Sequence, residues 1–413
     1  MASQSYKKAR IRSRKGGKIL WLSSLNLGAS LHQKSKTEIM ESLTSRGYTS
    51  DLITIRSNDL GARVHTENSL VNIVSIPLKF IPIITPFMYA VTLFFFLPIQ
   101  ILLRKPDYVI IDPYISVFSF ALVLPLSMLG RTKLILDVRT IPVEVSGFRG
   151  FLRILLFTTS VSLAKRDYSG ITMITPLMKK EVCERFNIDP ARVGVWSSGV
   201  SESLFNPLFH LTKSEELREK LGLARKFVVL YHGAFSANRG LLETIEAMAM
   251  IKNTNCDVVF LLLGAGPSDQ RLRELIKLRK LEDNVMIHAP VEHSEVPNYI
   301  AMCNIGIVPL PDHPYWRTQS PLKLLEYLAM GKVVVMTSIP AHQTVVGNKK
   351  CGIYITSTEP AEIAESILYA FHNREKLASW GKTGRRIVEE GYTWDKIAAD
   401  LESYLLSVNV PIP

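Results

Sequence analysis

Cysteine is scarce in this chain, and what there is lies scattered. Cys183, Cys256, Cys303 and Cys351 include no pair with metal-ligand spacing and suggest no disulfide framework. A disulfide-stapled scaffold and a zinc module are thereby excluded, and a reduced cytosolic compartment fits best. No Asp-x-Asp stands clearly at a strand end, so no metal site is indicated. Charged residues make up 21% of the chain against 47% hydrophobic ones, a balance that excludes a disordered polymer. Short-period repeats and low-complexity tracts are missing too. A cleavable signal is not expected either, because the basic stretch 1–18 leads straight into KILWLSSLNLG, which reads as a strand and a loop.

What is present is basic charge, with a net +12 over 413 residues. Nucleic acid, an anionic membrane surface and phosphorylated ligands all attract such a chain. Residues 1–18 hold many of the cations and no acid. They read equally well as a solvated tail or as a contact for lipid headgroups.

Residues 81–103, IPIITPFMYAVTLFFFLPIQILL, form 23 consecutive uncharged positions, enough to span a bilayer. A second apolar stretch covers 114–130. A transmembrane helix, a monotopic insertion and a core helix compete. The strand DYVIID (107–112) follows at once and must return to a soluble sheet, which favours monotopic insertion. Pro82, Pro86 and Pro98 predict a kinked element that dips Phe94, Phe95 and Phe96 into the headgroup boundary. Lys79, Arg104 and Lys105 flank it.

Continuous apolar runs recur along the chain, at 18–24, 50–55, 107–112, 133–138, 170–175 and 193–198. A second set falls at 226–233, 257–264, 284–289, 305–310 and 332–337. Unbroken apolar strands alternating with helical stretches predict parallel sheets covered on both faces. The pattern restarts after residue 205. It predicts an N-terminal domain over 1–205 with a membrane-associating segment at 73–130, a second domain over 206–394, and a helix in 395–413 returning to the first. Ligands of such sheets bind at the carboxyl ends of the strands, here in one central cleft.

The strongest local signal is SPLKLLEYLAMGKVVVMT, residues 320–337. Ser320 suits an N-cap and Pro321 the first helical position. Free backbone N–H groups at Leu322 and Lys323, the helix dipole and the Lys323 ammonium would together hold an anion. One turn on, Glu326 could accept the two hydroxyls of a ribose. The bland alternative is an ordinary capped helix with Lys323 and Glu326 solvated. HGAFSANRGLLETIEAM adds His232, Gly233 and an Arg239 placed to clamp a phosphate. GAGPSDQ adds Gly264 and Gly266, where a ligand can approach the backbone. Three such loops on strand ends of one domain describe a nucleotide-diphosphate site.

These stretches, with VEHSEVPNYIAMCNIGIVPL and EEGYTWDKIAADLESYL, resemble the retaining glycosyltransferases of family 4, which have the α/β GT-B fold of two Rossmann-like, doubly wound domains. The resemblance implies that Arg239 and Lys323 hold the donor diphosphate and that Glu326 binds the donor ribose. A sugar-contacting glutamate common in the family is replaced by Thr318. The N-terminal half is similar more loosely. Gly28 falls in the family's glycine loop, and LILDVRTIPVE falls in its acceptor-side loop without the usual histidine. Asp137, Arg139 and Glu144 remain there, and Asp137 or Glu144 could take a proton from an acceptor hydroxyl. Structural hydrogen bonds at a strand end are the competing role. The fold implies a leaving diphosphate neutralised by basic residues rather than by a metal, with no cofactor beyond a UDP- or GDP-linked sugar.

The expected protein is therefore a retaining glycosyltransferase on the cytoplasmic side of a membrane, peripheral or monotopic. It would act on a lipid-linked or membrane-embedded glycan acceptor and not on nucleic acid. A soluble acceptor, a nucleotide-sugar epimerase of the same architecture and a non-catalytic partner subunit are the alternatives.

Overall fold

The computed structural model describes residues 16–26, 31–56, 71–77, 84–117, 132–143, 147–254 and 256–408. The chain divides into two compact units, one of residues 1–196 with 398–413 and one of residues 197–397.

The first unit holds β1 (Lys18–Asn26), β2 (Thr49–Arg56), β3 (Asn72–Pro77), β4 (Tyr108–Ile111), β5 (Lys133–Val138), β6 (Gly170–Met173) and β7 (Val193–Val195). They form one parallel sheet in the order β3-β2-β1-β4-β5-β6-β7. Every residue of β4 and β6 is buried, as a strand covered on both faces requires. Local chemistry sets the helix ends. Thr175 accepts from the Met178 N–H at 3.1 Å, Pro176 follows in the first turn, and left-handed Asn187 closes the helix Pro176–Phe186.

The apolar segment becomes one helix, Ile84–Arg104, which runs through Pro98. It is a single element rather than a chain broken at its prolines. Tyr89, Leu93, Leu97 and Ile101, spaced four apart, pack into the core on one face of the sheet. The Tyr89 hydroxyl donates to the Ile53 carbonyl at 3.0 Å. Each such side chain contributes about 1.5–3 kcal/mol when buried, which ties the helix to the sheet. Phe96 packs against that core as well, whereas Phe95, Ile99 and Leu103 point outward. Among the described residues, no helix is long and apolar enough to cross a membrane. Lys79 and Pro82 lie outside the described residues.

From Ala398 on, the last helix, Trp394–Ser407, belongs to the first unit. Its Tyr404 hydroxyl takes the Ile171 N–H at 2.9 Å and donates to the Arg192 carbonyl at 2.6 Å. A Cβ on Gly194 would stand 2.4 Å from the Tyr404 ring, so that glycine is where the helix meets the sheet.

The second unit holds β8 (Phe227–Ala234), β9 (Val258–Ala265), β10 (Val285–His288), β11 (Ile305–Val308), β12 (Val333–Thr337) and β13 (Gly352–Ile355). They too are parallel, in the order β10-β9-β8-β11-β12-β13. Alternate residues of β8 enter separate cores, Val228 and Leu230 on one face and Val229 and Tyr231 on the other. Two strands, β3 and β13, were absent from the sequence expectation. Both lie at sheet edges; β13 is only four residues long, and Ser75 interrupts the apolar run of β3.

Candidate functional site

In the second unit, the end of β8 and the start of the helix Leu322–Ala329 bring His232, Gly233, Lys323 and Glu326 together. Gly233 has φ +118, and a Cβ there would stand 2.5 Å from Lys323 Cε and 3.0 Å from its Nζ. The glycine thus opens the path that the lysine side chain takes across the strand end. Lys323 Nζ lies 5.4 Å from the Tyr231 ring centroid.

Glu326 is 4% exposed, and each carboxylate oxygen faces a histidine. Oε1 lies 3.1 Å from His293 Nε2 in a hydrogen bond, and Oε2 lies 3.4 Å from His232 Nε2 without aligned geometry. Burial pushes the Glu326 carboxyl up, but the His293 hydrogen bond and the nearby charges outweigh it and hold the group below its usual range. Burial pulls His232 down to about 4, so at neutral pH it is an uncharged ring beside an ionised carboxylate. A carboxylate accepts about four hydrogen bonds. His293 uses one of them, which leaves capacity for ribose hydroxyls.

The Lys323 ammonium is pulled down to about 7, first by burial and then by the Arg239 charge, against the opposing pull of Glu326. The Arg239 charge disfavours the Lys323 ammonium, and an anion received by both side chains would relieve that repulsion. Arg239 sits on the short turn Ala237–Arg239 after β8. Its guanidinium lies 4.2 Å from the Trp316 ring centroid and donates to Ser236 Oγ at 3.3 Å, and it has no carboxylate partner among the described residues.

Other predicted positions have different roles. The N-cap position of the Leu322–Ala329 helix falls on Pro321, with no side-chain cap. Ser320 therefore does not cap it, and its hydroxyl instead meets Ser197 Oγ at 3.1 Å and the Ser198 N–H at 3.2 Å. The Leu322 N–H is not free either, since it donates to the Ser320 carbonyl at 3.0 Å. Thr318 is buried at the end of the turn Pro314–Arg317. Gly264, at φ +152, and Gly266 are required by the neighbouring chain. A Cβ on the first would stand 2.0 Å from the Gly233 carbonyl oxygen, and on the second 2.3 Å from that of Phe235. Both glycines therefore have packing reasons of their own.

His293 is the residue that the sequence reading passed over. It lies between β10 and the helix Val296–Met302, within a stretch quoted only for its similarity, and its contact with Glu326 crosses 33 residues. A histidine in a loop leaving a strand end was the one available signal.

In the first unit, Gly28 and Glu144 lie outside the described residues. Asp137 is 0% exposed. Its Oδ1 accepts from Thr172 Oγ1 and Trp196 Nε1, both at 2.9 Å, and burial raises its pKa. Oδ1 is thus an interior acceptor that ties β5 to β6 and Trp196, while Oδ2 is buried without a hydrogen-bond partner. Arg139 lies 3.5 Å from the Trp196 ring centroid and donates to the Trp196 carbonyl at 2.7 Å. At the ends of β1 and β4, Lys36 pairs with Asp112, which also accepts from Ser23 Oγ at 3.0 Å.

Residues 213–387 match the family model for glycosyl transferases group 1. The chain is 24% identical over 204 residues to an alpha-D-kanosaminyltransferase of Streptomyces kanamyceticus, covering 49% of this chain and 51% of that protein. It is 22% identical over 192 residues to a GDP-mannose-dependent alpha-(1-6)-phosphatidylinositol monomannoside mannosyltransferase of Mycobacterium tuberculosis, covering 46% and 50%. The chain thus spans about half the length of these curated relatives. Anabaena HepE, solved in complex with UDP and glucose, superposes with a TM-score of 0.72 at 17% identity over 94% of this chain and 99% of that one. The architecture is the GT-B fold of two Rossmann-like parallel-sheet domains, and the match to the group 1 glycosyl transferase model falls within the second of them.

Proposed function

We propose that the protein is a retaining glycosyltransferase that moves a sugar from a UDP- or GDP-linked donor to a lipid-linked or membrane-embedded acceptor. The observation that carries this reading is the convergence of Lys323, Arg239 and Glu326 at the strand ends of a group 1 domain. Lys323 and Arg239 take the diphosphate and stabilise the charge that grows on it as the glycosidic bond breaks. Glu326, held by His293, accepts the ribose hydroxyls. The dianion returns Lys323 to its protonated state, because its charge offsets the repulsion from Arg239. Basic residues serve here in place of a metal. Of the two proposed bases, Glu144 is preferred, because Asp137 is fully buried with its Oδ1 held by Thr172 and Trp196.

Retention follows from the family resemblance. A nucleotide donor is supported by HepE, solved with UDP, and by the GDP-mannose dependence of the mycobacterial relative. That relative acts on a phosphatidylinositol mannoside, and the apolar Ile84–Arg104 helix favours the same class of acceptor here. A cytoplasmic-face, peripheral location goes with it.

The test is transfer from radiolabelled UDP- and GDP-sugars to a membrane lipid extract and to soluble glycans, with the anomer of the product read by NMR. Label in the lipid fraction with the donor's anomeric configuration is expected. Inversion would sink the retaining assignment, label confined to soluble glycans would sink the lipid acceptor, and no transfer from any donor would sink the enzyme.

A further inference from the structure

The outer surface of the first unit carries a feature the donor site does not explain. Two helices, Ile84–Arg104 and Gly147–Asp167, cover the same face of the sheet, the first through Tyr89, Leu93, Leu97 and Ile101 and the second through Phe157, Val161 and Ala164. On an amphipathic helix the opposite stripe would be polar. Here both outward stripes are apolar. Phe95 is 69% exposed and Leu103 74%, with Ile99 between them. Phe148 is 76% exposed and Phe151 62%, with Leu155 one turn on. In the second unit, Met250 and Leu278 stand singly on their helices, and the exposed apolar groups that cluster, Leu208, Phe209 and Leu211, fall within four residues rather than along a helix face. Isolated ones are ordinary, whereas apolar stripes along two helices on the same face of a sheet mark a contact surface.

Charge identifies the occupant. The Ile84–Arg104 helix has no acidic residue, and the Gly147–Asp167 helix has one, Asp167, at its last position and paired with Arg166 at 2.7 Å. Exposed Lys105 and Arg153 lie among the apolar groups. A second copy of the chain would bring cations against cations across the interface. An anionic bilayer accepts aromatic and aliphatic groups at its headgroup boundary and pairs with the flanking cations.

We propose that these two helices form a docking surface for an anionic lipid bilayer, with the Gly147–Asp167 helix as a second anchor on the same face of the sheet as the Ile84–Arg104 helix. The surface lies on the side of each helix opposite the sheet, so docking leaves the core intact. The protein rests on the bilayer through these stripes and does not thread it. This deepens the lipid-acceptor reading and rests on it for its purpose, though not for its geometry.

The test is co-sedimentation of the full-length protein with phosphatidylcholine vesicles and with vesicles containing phosphatidylglycerol. Variants Phe148→Ser/Phe151→Ser and Phe95→Ser/Leu103→Ser are compared with wild type, leaving the basic residues 1–18 intact. Near-ultraviolet circular dichroism and nucleoside-diphosphate binding report folding. Wild type should pellet with the anionic vesicles at least tenfold better than with neutral ones, and each double variant should lose at least tenfold of that binding while still folded. Lys105→Glu/Arg153→Glu should lower the preference for anionic over neutral vesicles. The proposal is overturned if no vesicle is bound, if the Phe148→Ser/Phe151→Ser protein binds like wild type, or if sedimentation velocity without vesicles shows a dimer that those substitutions dissolve. Vesicle binding without transfer to lipid would leave the surface standing and remove the acceptor. Transfer without vesicle binding would do the reverse.

Discussion

The two units share a winding order and differ in where their chemistry sits. Each sheet has its first strand inside, the next two on one side of it and the later ones on the other. In the second unit the strand ends gather ionisable groups that act on one another: a lysine disfavoured as a cation by burial and by Arg239, and a carboxylate held between histidines. In the first unit the corresponding charges are already spent internally, Lys36 on Asp112 and Asp137 on Thr172 and Trp196. Its unsatisfied surface lies instead on the outer faces of two helices. The winding fixes where strand ends gather, but it places no demand on the outer face of a helix. Composition on that face therefore reports on a partner rather than on the fold.

The contrast breaks most visibly if the second unit's charges are idle. Lys323→Ala and Arg239→Ala should each lower turnover about a hundredfold, ~3 kcal/mol of lost transition-state stabilisation, while vesicle binding stays at the wild-type level. Steady-state kinetics within threefold of wild type for both variants would place the diphosphate elsewhere. The first unit's internal pairing is sharpened by Asp137. Asp137→Ala leaves two buried donors unpaired and should cost about 1–3 kcal/mol in denaturant unfolding. Asp137→Asn keeps an acceptor, and both its stability and its turnover should stay near wild type. A stable Asn variant with turnover down a hundredfold would restore Asp137 as a base.

A pH series separates the units further. Free Lys323 titrates at about 7, and a bound dianion raises that value, so diphosphate binding takes up a proton above pH 7. Affinity should be full below about 7 and fall by up to tenfold per unit above it. Glu326 keeps its charge across that range and His232 stays neutral. Calorimetry showing flat affinity from pH 6.5 to 8.5 would mean that Lys323 does not meet the phosphates. The smallest effect belongs to His293. His293→Ala should weaken nucleoside-diphosphate binding about fivefold, ~1 kcal/mol for one hydrogen bond, with kcat at saturating donor nearly unchanged. His293→Gln, which can still donate, should recover most of it. A residue that merely supported the loop would lower the melting temperature without moving this affinity.

Parallel strands buried on both faces were readable as unbroken apolar runs, which is why β5 was expected with its observed bounds. The edge strands β3 and β13 escaped because half-covered chain carries a weaker signal. Lys323, Glu326 and Arg239 were legible because helix and turn starts after a strand have local signatures. The role of Ser320 was not, since its partners at Ser197 and Ser198 lie more than a hundred residues away. The same distance hid His293 behind Glu326 and Thr172 behind Asp137. The apolar segment announced its composition but not its two faces. Only packing separates Phe96, turned to the core, from Phe95, turned out.

The central claim is that the second unit holds a nucleoside diphosphate through Lys323, Arg239 and Glu326. Calorimetric titration of UDP and of GDP into the full-length protein at pH 7, repeated with the Lys323→Ala/Arg239→Ala double variant, tests it most directly. The account predicts one-to-one binding of at least one of the two nucleotides, weakened a hundredfold or more in a double variant that remains folded. Equal affinity in the double variant, or no binding of either nucleotide at millimolar concentration, would contradict it.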